Sequence, residues 1–371
     1  MKILVVQDHL RSGGTERQSV LLAKAFAAAG HTVTLLTFRP GGALAATVSG
    51  AVSHLILQPF DLGLDWFAPG LSADAARLAP DIVLCMGRMA NCYAGTLQRR
   101  LPGTVVIATM RTGKPLPFLF RRSLRLARHI VANSRDARTT LVAQHALPGE
   151  KISVIHNSLV FPAAPATPAG DATPPSRASF RAQHNATPAT TVLLNVAMFR
   201  PEKNQRELIE IAAGLPPALD WQLWFAGDGP ARPACEALVA ERNLASRVRF
   251  LGFHRDPSPL YAAADIAVHA SWSEALSNFL IEAQAHGLPA VAYDAQGIRE
   301  CFVPDQTGWA IARDDRAAFR AALAQLIAEP ADARAARTTA ACAFARTTFD
   351  PARQVAAYLD LFATLLARPQ P

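Results

Sequence analysis

The sequence has few cysteines and no long apolar run, and each absence excludes a class of protein. The chain of 371 residues contains five cysteines, an odd number, and no C-x-x-C pair. This pattern argues against a disulfide framework or a zinc site and is typical of a reducing compartment. No run of about 18 apolar residues occurs, and the N-terminus lacks the features of a signal peptide. We therefore expect a cytoplasmic protein without a transmembrane helix.

Two motifs that would indicate other nucleotide-binding enzymes are also missing. No two aspartates are separated by a single residue, so the sequence lacks the D-x-D device that holds a metal ion against a diphosphate. The Gly-rich turn Ser12-Gly13-Gly14 does not continue as G-x-G-x-x-G, which disfavours a dinucleotide site. We expect no metal site and no cofactor.

Acidic residues are missing from one long segment, although the net charge of the chain is only +8. No acid occurs between Asp81 and Asp136, and ten Lys and Arg residues lie there. Within this segment, residues 116–128 mix apolar side chains with four arginines. A basic amphipathic helix at an anionic membrane is one interpretation, and an ordinary solvated helix is the other. Nucleic acid is disfavoured because no nucleic-acid motif accompanies the charge.

Strand and helix patterns alternate along the chain. An apolar strand at residues 2–6, a Gly-rich turn, a helix and a second strand at residues 31–37 form a βαβ opening. The alternation resumes at residue 191, after a segment rich in Pro, Ala and Thr at residues 161–188. The length is sufficient for two domains with separate cores. The sequence therefore predicts an α/β protein with two domains and a linker.

Residues 271–289 offer the most informative local pattern. An apolar strand at residues 266–270 leads into a loop and then a helix, which Ser277 or Asn278 can cap and Gly287 can end. The N-terminus of such a helix suits a phosphate. Glu274 and Glu282 lie eight residues apart and can point toward one side. Carboxylates beside a phosphate site fit a sugar nucleotide, whose hydroxyls they would bind, but two surface glutamates on an ordinary strand–helix unit remain the alternative.

This segment resembles the E-x7-E segment of the family 4 retaining GT-B glycosyltransferases, with Ala275 and Gln284 replacing the usual Gly and Met. Further segments resemble family elements: G-G-T-E-R at residues 13–17, N-S at residues 133–134, R-P-E-K-N at residues 200–204, G-D-G-P at residues 227–230, V-R-F-L-G at residues 248–252 and G-I-R-E at residues 297–300. The resemblance implies an α/β GT-B fold, in which two Rossmann-like domains face each other across a cleft. It also implies an acceptor domain at residues 1–165, a linker at 166–188 and a donor domain at 189–350, with the C-terminal helix 351–371 packing back on the first domain.

The resemblance further implies site residues. Arg200 and Lys203 would neutralise the donor diphosphate, Glu274 would hold donor-sugar hydroxyls and Glu282 would accept hydrogen bonds from the ribose. The catalytic set is Arg200, Lys203 and Glu274. The predicted donor-binding residues are Gly13, Gly14, Gly227, Phe253, His254, Ala275, Leu276, Ser277, Asn278 and Glu282. The predicted acceptor-side residues are Glu16, Arg111 and Asn133.

One departure from the family pattern concerns the acceptor side. Many members carry a histidine after the strand equivalent to residues 105–108, whereas this chain reads Thr109-Met110-Arg111-Thr112. We interpret Arg111 as a candidate for binding an acceptor phosphate or carboxylate. The implied function is metal-independent transfer of a hexosyl-type sugar, with retention, from a nucleotide sugar to a glycan or lipid-diphosphate-linked acceptor of the cell envelope. The alternatives are a sugar-nucleotide 2-epimerase of the same fold and an inactive partner protein.

Overall fold

The structure is a computed structural model and describes residues 1–48, 50–159 and 176–368. The chain divides into two compact units. Unit 1 comprises Met1–Ser158 and Pro351–Pro371, and unit 2 comprises Leu159–Asp350. No helix within the described ranges is long and apolar enough to cross a membrane.

Unit 1 is a parallel sheet of seven strands with helices around it, in the strand order β3-β2-β1-β4-β5-β6-β7. Its central strands β4 and β5 are wholly buried, as expected where helices cover both faces of a sheet, whereas the edge strands β3 and β7 are partly exposed. Its elements are β1 Lys2–Gln7, α1 Gly14–Ala28, β2 Thr32–Thr37, β3 Val52–Ile56, α2 Leu71–Leu78, β4 Ile82–Cys85, α3 Arg88–Arg100, β5 Val105–Met110, α4 Phe118–Leu126, β6 His129–Ala132, α5 Arg135–His145 and β7 Ile152–Val154.

Unit 2 has a parallel sheet of six strands in the order β10-β9-β8-β11-β12-β13. Its elements are α6 Arg177–Gln183, β8 Thr191–Val196, α7 Gln205–Ala213, β9 Trp221–Ala226, α8 Arg232–Glu241, β10 Val248–Gly252, α9 Ser258–Ala263, β11 Ile266–His269, α10 Asn278–Ala285, β12 Ala290–Tyr293, β13 Gly308–Ile311, α11 Arg316–Ile327 and α12 Ala331–Thr348.

The last helix, α13 (Pro351–Ala367), belongs to unit 1 and not to the unit that precedes it. Tyr358 and Phe362 pack edge-on against Phe26 of α1, with ring centroids 6.0 and 5.5 Å away. Gln354 Nε2 donates to the carbonyl of His156 at 2.7 Å and to Gln18 Oε1 at 3.1 Å. These contacts hold the end of the chain on the first sheet.

The predicted linker at residues 166–188 differs from the structure in its second half. Residues 166–175 lie outside the described residues. Residues from 176 onward belong to unit 2, where α6 is anchored by Arg181, whose guanidinium is buried. Arg181 Nη1 donates to Asp265 Oδ2 at 3.0 Å and to the Ala263 carbonyl at 2.9 Å. Arg181 and its partner Asp265 lie 84 residues apart, and the Pro and Ala content of a segment gives no information about such an ion pair. The prediction of a linker was therefore wrong for residues 176–188.

Candidate functional site

In unit 2, two loops flank the point where the strand order reverses. Strands β8 and β11 are neighbours there, while the chain proceeds from β8 to β9 on one side and from β11 to β12 on the other. The loop with Arg200 and Lys203 follows β8, and the loop with Glu274 follows β11. Open parallel sheets bind ligands at the carboxyl ends of strands at such a switch point. The topology therefore brings the two predicted catalytic segments to one edge.

Lys203, Glu274 and His269 form a connected charge cluster at this edge. Lys203 Nζ lies 2.5 Å from Glu274 Oε1, and His269 Nε2 lies 3.0 Å from the same oxygen. The Glu274 side chain exposes only a tenth of its surface, and the His269 side chain is fully buried. Both contacts are made to Oε1. Together they fix the orientation of the whole carboxylate group, including Oε2.

The electrostatics of this cluster keep Glu274 ionised. Burial by itself raises the pKa of the Glu274 carboxyl, but the positive charge of Lys203 and the hydrogen bond from His269 outweigh it and lower the pKa to about 2. A carboxylate with this pKa is a hydrogen-bond acceptor at every physiological pH. It can accept hydrogen bonds from hydroxyl groups.

Helix α10 begins beside this cluster as predicted. Ser277 is its N-cap, and its side chain accepts from Leu280 N at 3.4 Å. Ala275 and Leu276 have buried side chains, so a ligand at this turn would meet their backbone rather than their side chains. Glu282 lies in the second turn, where its Oε2 accepts from the Tyr261 hydroxyl at 2.6 Å. Tyr261 thus positions the second glutamate as His269 positions the first.

The loops that carry Lys203 and Glu274 are also joined through one backbone carbonyl. Glu202 O accepts from Trp272 N at 3.2 Å and from Ser271 Oγ at 2.9 Å. This junction fixes Lys203 relative to Glu274. Arg200 precedes it and is exposed, and no side-chain hydrogen bond or ion pair of Arg200 is present within the described ranges. Its guanidinium can therefore turn toward a ligand.

The loops after β9 and β10 complete this edge of the sheet. Gly227 has a φ of +134°, and a Cβ there would lie 2.1 Å from the Ala197 carbonyl, so only glycine fits. Asp228 Oδ2 accepts from Phe253 N at 2.9 Å and joins the two loops. Phe253 is exposed, and His254 Nε2 lies 3.2 Å from the Leu251 carbonyl. The donor-binding roles of these residues remain predictions.

A glycine after β12 supports the turn before α10. Gly297 has a φ of +74°, and a Cβ there would lie 2.0 Å from the Ala275 carbonyl. Its backbone therefore packs directly against the residue that follows Glu274, which no larger side chain would permit.

In unit 1, the predicted Gly-rich turn is the start of α1. Gly13 is the N-cap, Gly14 is the first helical residue and Glu16 lies in the first turn. A Cβ on Gly13 would meet Glu16 Oε2 at 2.4 Å, so the carboxylate folds over the turn. Asn133 follows β6 and is buried, and its Oδ1 has no hydrogen-bond partner within the described residues. A buried amide oxygen without a partner is unusual and suits a ligand.

Arg111 is committed to contacts within unit 1. Its Nη2 donates to the Tyr358 hydroxyl of α13 at 2.7 Å, and its Nη1 donates to Asn157 Oδ1. Arg111 therefore links β5 to the last helix. Binding of an acceptor anion by Arg111 stays a prediction. The hydrogen bonds to Tyr358 and Asn157 already explain an arginine at this position.

Sequence reasoning missed three polar residues that the structure brings into these sites. His269 and Tyr261 contact the two glutamates. Asp8 directly follows β1, in the loop that leads to the Gly-rich turn. Asp8 accepts from Met89 N and Ala90 N at the start of α3. Burial raises the pKa of Asp8 to about 7 despite these two bonds. A histidine ending an otherwise apolar strand, V-H-A before the glutamate segment, was the one available signal for His269.

Two family models match consecutive parts of the chain. The model of glycosyltransferase family 4 matches residues 12–159, and that of glycosyl transferases group 1 matches residues 176–341. The chain belongs to the family 4 glycosyltransferases. Structures of HepE from Anabaena with UDP-glucose and of a glycosyltransferase from Rickettsia africae have TM-scores of 0.78 and 0.83, with identities of 22% and 20%. They cover 98% and 99% of this chain and 100% and 99% of those chains, which confirms the expected GT-B fold class.

Curated relatives match the chain over shorter stretches. LpsE of Rhizobium meliloti, a lipopolysaccharide core biosynthesis glycosyltransferase, is 32% identical over 144 residues, which are 38% of this chain and 42% of that protein. EpsD of Bacillus subtilis, a putative glycosyltransferase, is 31% identical over 187 residues, 49% of each chain. The chain therefore spans less than half the length of these relatives.

Proposed function

We propose that this protein transfers a hexosyl group from a nucleoside diphosphate sugar to a glycan or lipid-linked glycan in lipopolysaccharide or exopolysaccharide biosynthesis. The observation that carries the proposal is the buried Glu274 carboxylate, held ionised between Lys203 and His269 at the switch point of unit 2. Family membership and the similarity to LpsE support the same class of reaction. The structure of HepE with UDP-glucose makes a UDP-sugar the first donor to test.

The proposed chemistry assigns each group a role during cleavage of the anomeric C–O bond. Negative charge develops on the leaving diphosphate, and Arg200, Lys203 and the backbone N–H groups at the start of α10 stabilise it without a metal ion. Glu274 accepts hydrogen bonds from donor-sugar hydroxyls and fixes the orientation of the sugar. Glu282 accepts from the ribose. The anomeric configuration is retained.

A thermal-shift panel tests the donor assignment and the absence of a metal requirement together. Purified protein is heated with UDP-glucose and with GDP-, ADP- and TDP-sugars, each with and without EDTA. We expect one nucleotide class to raise the midpoint, because a ligand at 100 times its Kd adds about 2.7 kcal/mol to the free energy of unfolding. A shift abolished by EDTA would refute metal independence, and no shift from any donor would refute the donor site. Product analysis without acceptor separates transfer from 2-epimerisation.

Replacing His269 by Leu should weaken recognition of the sugar and leave recognition of UDP unchanged. The change removes the Nε2–H that orients Glu274, and a hydrogen bond to a charged group contributes about 1.5–3 kcal/mol. We expect the Kd of UDP-glucose to rise about tenfold or more by calorimetry. The pKa of Glu274 should also rise, so the acidic limb of the kcat/KM profile moves to higher pH.

His269→Gln is the matched control, since its amide can donate from a position near that of Nε2. We expect it to restore most of the affinity for UDP-glucose. Equal losses for UDP and UDP-glucose in His269→Leu would instead indicate a general packing defect.

We also propose that unit 1 contacts the inner face of an anionic cytoplasmic membrane. Helix α4 buries Phe120 and Leu124, while it exposes Phe118 and Leu119. The exposed face also carries three arginines, Arg121, Arg122 and Arg125. A helix with exposed apolar and basic residues suits the interface of a bilayer that contains anionic lipid.

Reversing two charges on α4 should weaken vesicle binding. Each basic residue near an anionic surface contributes about 1 kcal/mol, so Arg121→Glu with Arg122→Glu should lower binding at least tenfold in co-sedimentation. Lys24→Glu, on the exposed side of α1, is the control and should bind nearly as wild type. Equal binding by all three proteins at low salt would exclude α4 as the contact.

A further inference from the structure

The loop that follows β3 exposes its apolar side chains, and arginines of unit 1 pair with its two acidic side chains. We name residues 60–66 the 60–66 loop. Phe60 and Trp66 are 65% and 59% exposed, and Leu62 and Leu64 are also exposed. The two acids between them, Asp61 and Asp65, are bound by arginines of unit 1. Four large apolar side chains exposed within seven residues form a patch typical of an interaction site.

The two acids of the loop are bound in a network that centres on Arg39. Arg39 Nε and Nη2 donate to the two carboxylate oxygens of Asp61 at 2.8 and 2.9 Å, and its Nη1 donates to Asp65 at 2.6 Å. Arg11 Nη2 donates to both oxygens of Asp65 at 2.9 and 2.8 Å. The Arg39 side chain is only 12% exposed, so this network is partly shielded from solvent.

The backbone of the loop is closed by a buried amide. Gln58 Nε2 donates to the carbonyls of Leu64 and Phe67 at 2.9 and 2.7 Å. Tyr93 of α3 donates from its hydroxyl to the Trp66 carbonyl at 2.5 Å. The apolar side chains are therefore displayed by a fixed scaffold, which reduces the entropy lost when they bind a partner.

We propose that the 60–66 loop inserts its apolar side chains into the acyl region of an anionic bilayer. This inference rests on the proposed membrane contact of unit 1 and adds a second, apolar element to it. The loop and the segment before α4 both contact α3, because Arg88 at its start donates to the Pro115 carbonyl at 2.7 Å and Tyr93 near its middle binds the loop. Arg88 and Tyr93 are five residues apart, which is about 7.5 Å along the axis of α3.

The chemistry of the loop favours hydrocarbon over a glycan. A sugar platform needs polar groups that bind hydroxyls beside its aromatic face. Here each carboxylate oxygen of Asp61 and Asp65 already accepts from an arginine. Leu62 and Leu64 add aliphatic surface. Transfer of this surface out of water is favourable in free energy, but the surface offers a sugar no hydrogen bond. The arginines of α4 supply the attraction to anionic lipid that an apolar loop lacks.

Tryptophan quenching tests this insertion directly. The chain has five tryptophans. Trp66 belongs to unit 1, and the other four belong to unit 2. Full-length protein is mixed with vesicles of anionic phospholipid whose acyl chains carry bromine, a short-range quencher. We expect quenching for wild type and for Trp272→Phe, whose replaced ring is also exposed, and none for Trp66→Phe, which keeps an apolar side chain.

A binding variant completes the test. Phe60→Ser with Trp66→Ser should reduce vesicle affinity about tenfold to a hundredfold, because two large side chains no longer leave water. Val142→Ser, an exposed apolar residue of α5, should have no effect. Circular dichroism and urea unfolding of the double variant should match wild type, since both replaced side chains are exposed.

Several outcomes would overturn the inference. Vesicle binding without quenching would place the loop outside the bilayer while leaving the α4 contact intact. Absence of vesicle binding would remove both membrane proposals, and UDP-glucose binding would still report separately on the transferase proposal. Concentration-dependent self-association that the double variant abolishes would show that a second copy of the chain covers the loop.

Discussion

Replacing Lys203 by Ala should lower kcat/KM a hundredfold or more while the protein stays folded. Lys203 has two roles in the proposed mechanism, because its charge holds Glu274 ionised and stabilises the leaving diphosphate. Loss of one preorganised charge contact in a water-excluded site costs about 2.7–4 kcal/mol of transition-state stabilisation. The measurement is steady-state transfer from the donor that the thermal-shift panel identifies.

The controls separate the charge of Lys203 from its other contributions. Arg206→Ala removes a nearby exposed charge on α7 and should leave kcat/KM unchanged. Lys203→Arg should recover part of the activity, since a guanidinium restores the charge with a different geometry. Near-normal turnover in Lys203→Ala would disprove the donor-site assignment, whereas a large drop in the unfolding midpoint would assign the loss to folding.

Replacing Asp265 by Ala should destabilise unit 2 by about 3–5 kcal/mol, the cost of leaving one partner of a buried ion pair unpaired. Asp265 Oδ2 accepts from Arg181 and from Val192 N, and its Oδ1 accepts from Arg177. Arg181 is 4% exposed, so its charge would have no solvent to replace the carboxylate. Urea unfolding followed by tryptophan fluorescence measures the effect, because four of the five tryptophans lie in unit 2.

Asp294→Ala is the control for this experiment. Asp294 pairs with Arg299 at 2.7 Å, but the arginine is 58% exposed, and an exposed pair contributes at most about 1 kcal/mol. We expect its urea midpoint to stay close to that of wild type. Equal and small effects of Asp265→Ala and Asp294→Ala would show that α6 is not held by the buried pair.

The local sequence predicted the helix at the candidate site because each of its signals acts within a few residues. Ser277 caps α10, and Gly287, with a φ of +78°, follows its end. Capping and left-handed termination depend on neighbouring backbone groups alone. The same locality explains the strand predictions, since a strand buried on both faces is a short apolar run.

The residues that orient the glutamates could not be predicted in this way. The sequence pattern places His269 in an apolar strand and does not single out Tyr261. Their contacts with Glu274 and Glu282 depend on how loops converge at the sheet edge, which no short-range pattern records. Arg111 illustrates the converse, because its partner Tyr358 lies 247 residues away and the sequence offered only an arginine after a strand.

The sequence by itself determined the two α/β halves, the capped turn before α10 and the residue types available at the site. These follow from apolar periodicity, capping and glycine placement, which act over one or two turns of chain. Tertiary structure alone decided which charges meet: Lys203 with Glu274, Arg181 with Asp265, and Arg39 with the acids of the 60–66 loop. Ion pairing depends on distance and burial in space, so residues 22 to 84 positions apart become partners only when the sheets form.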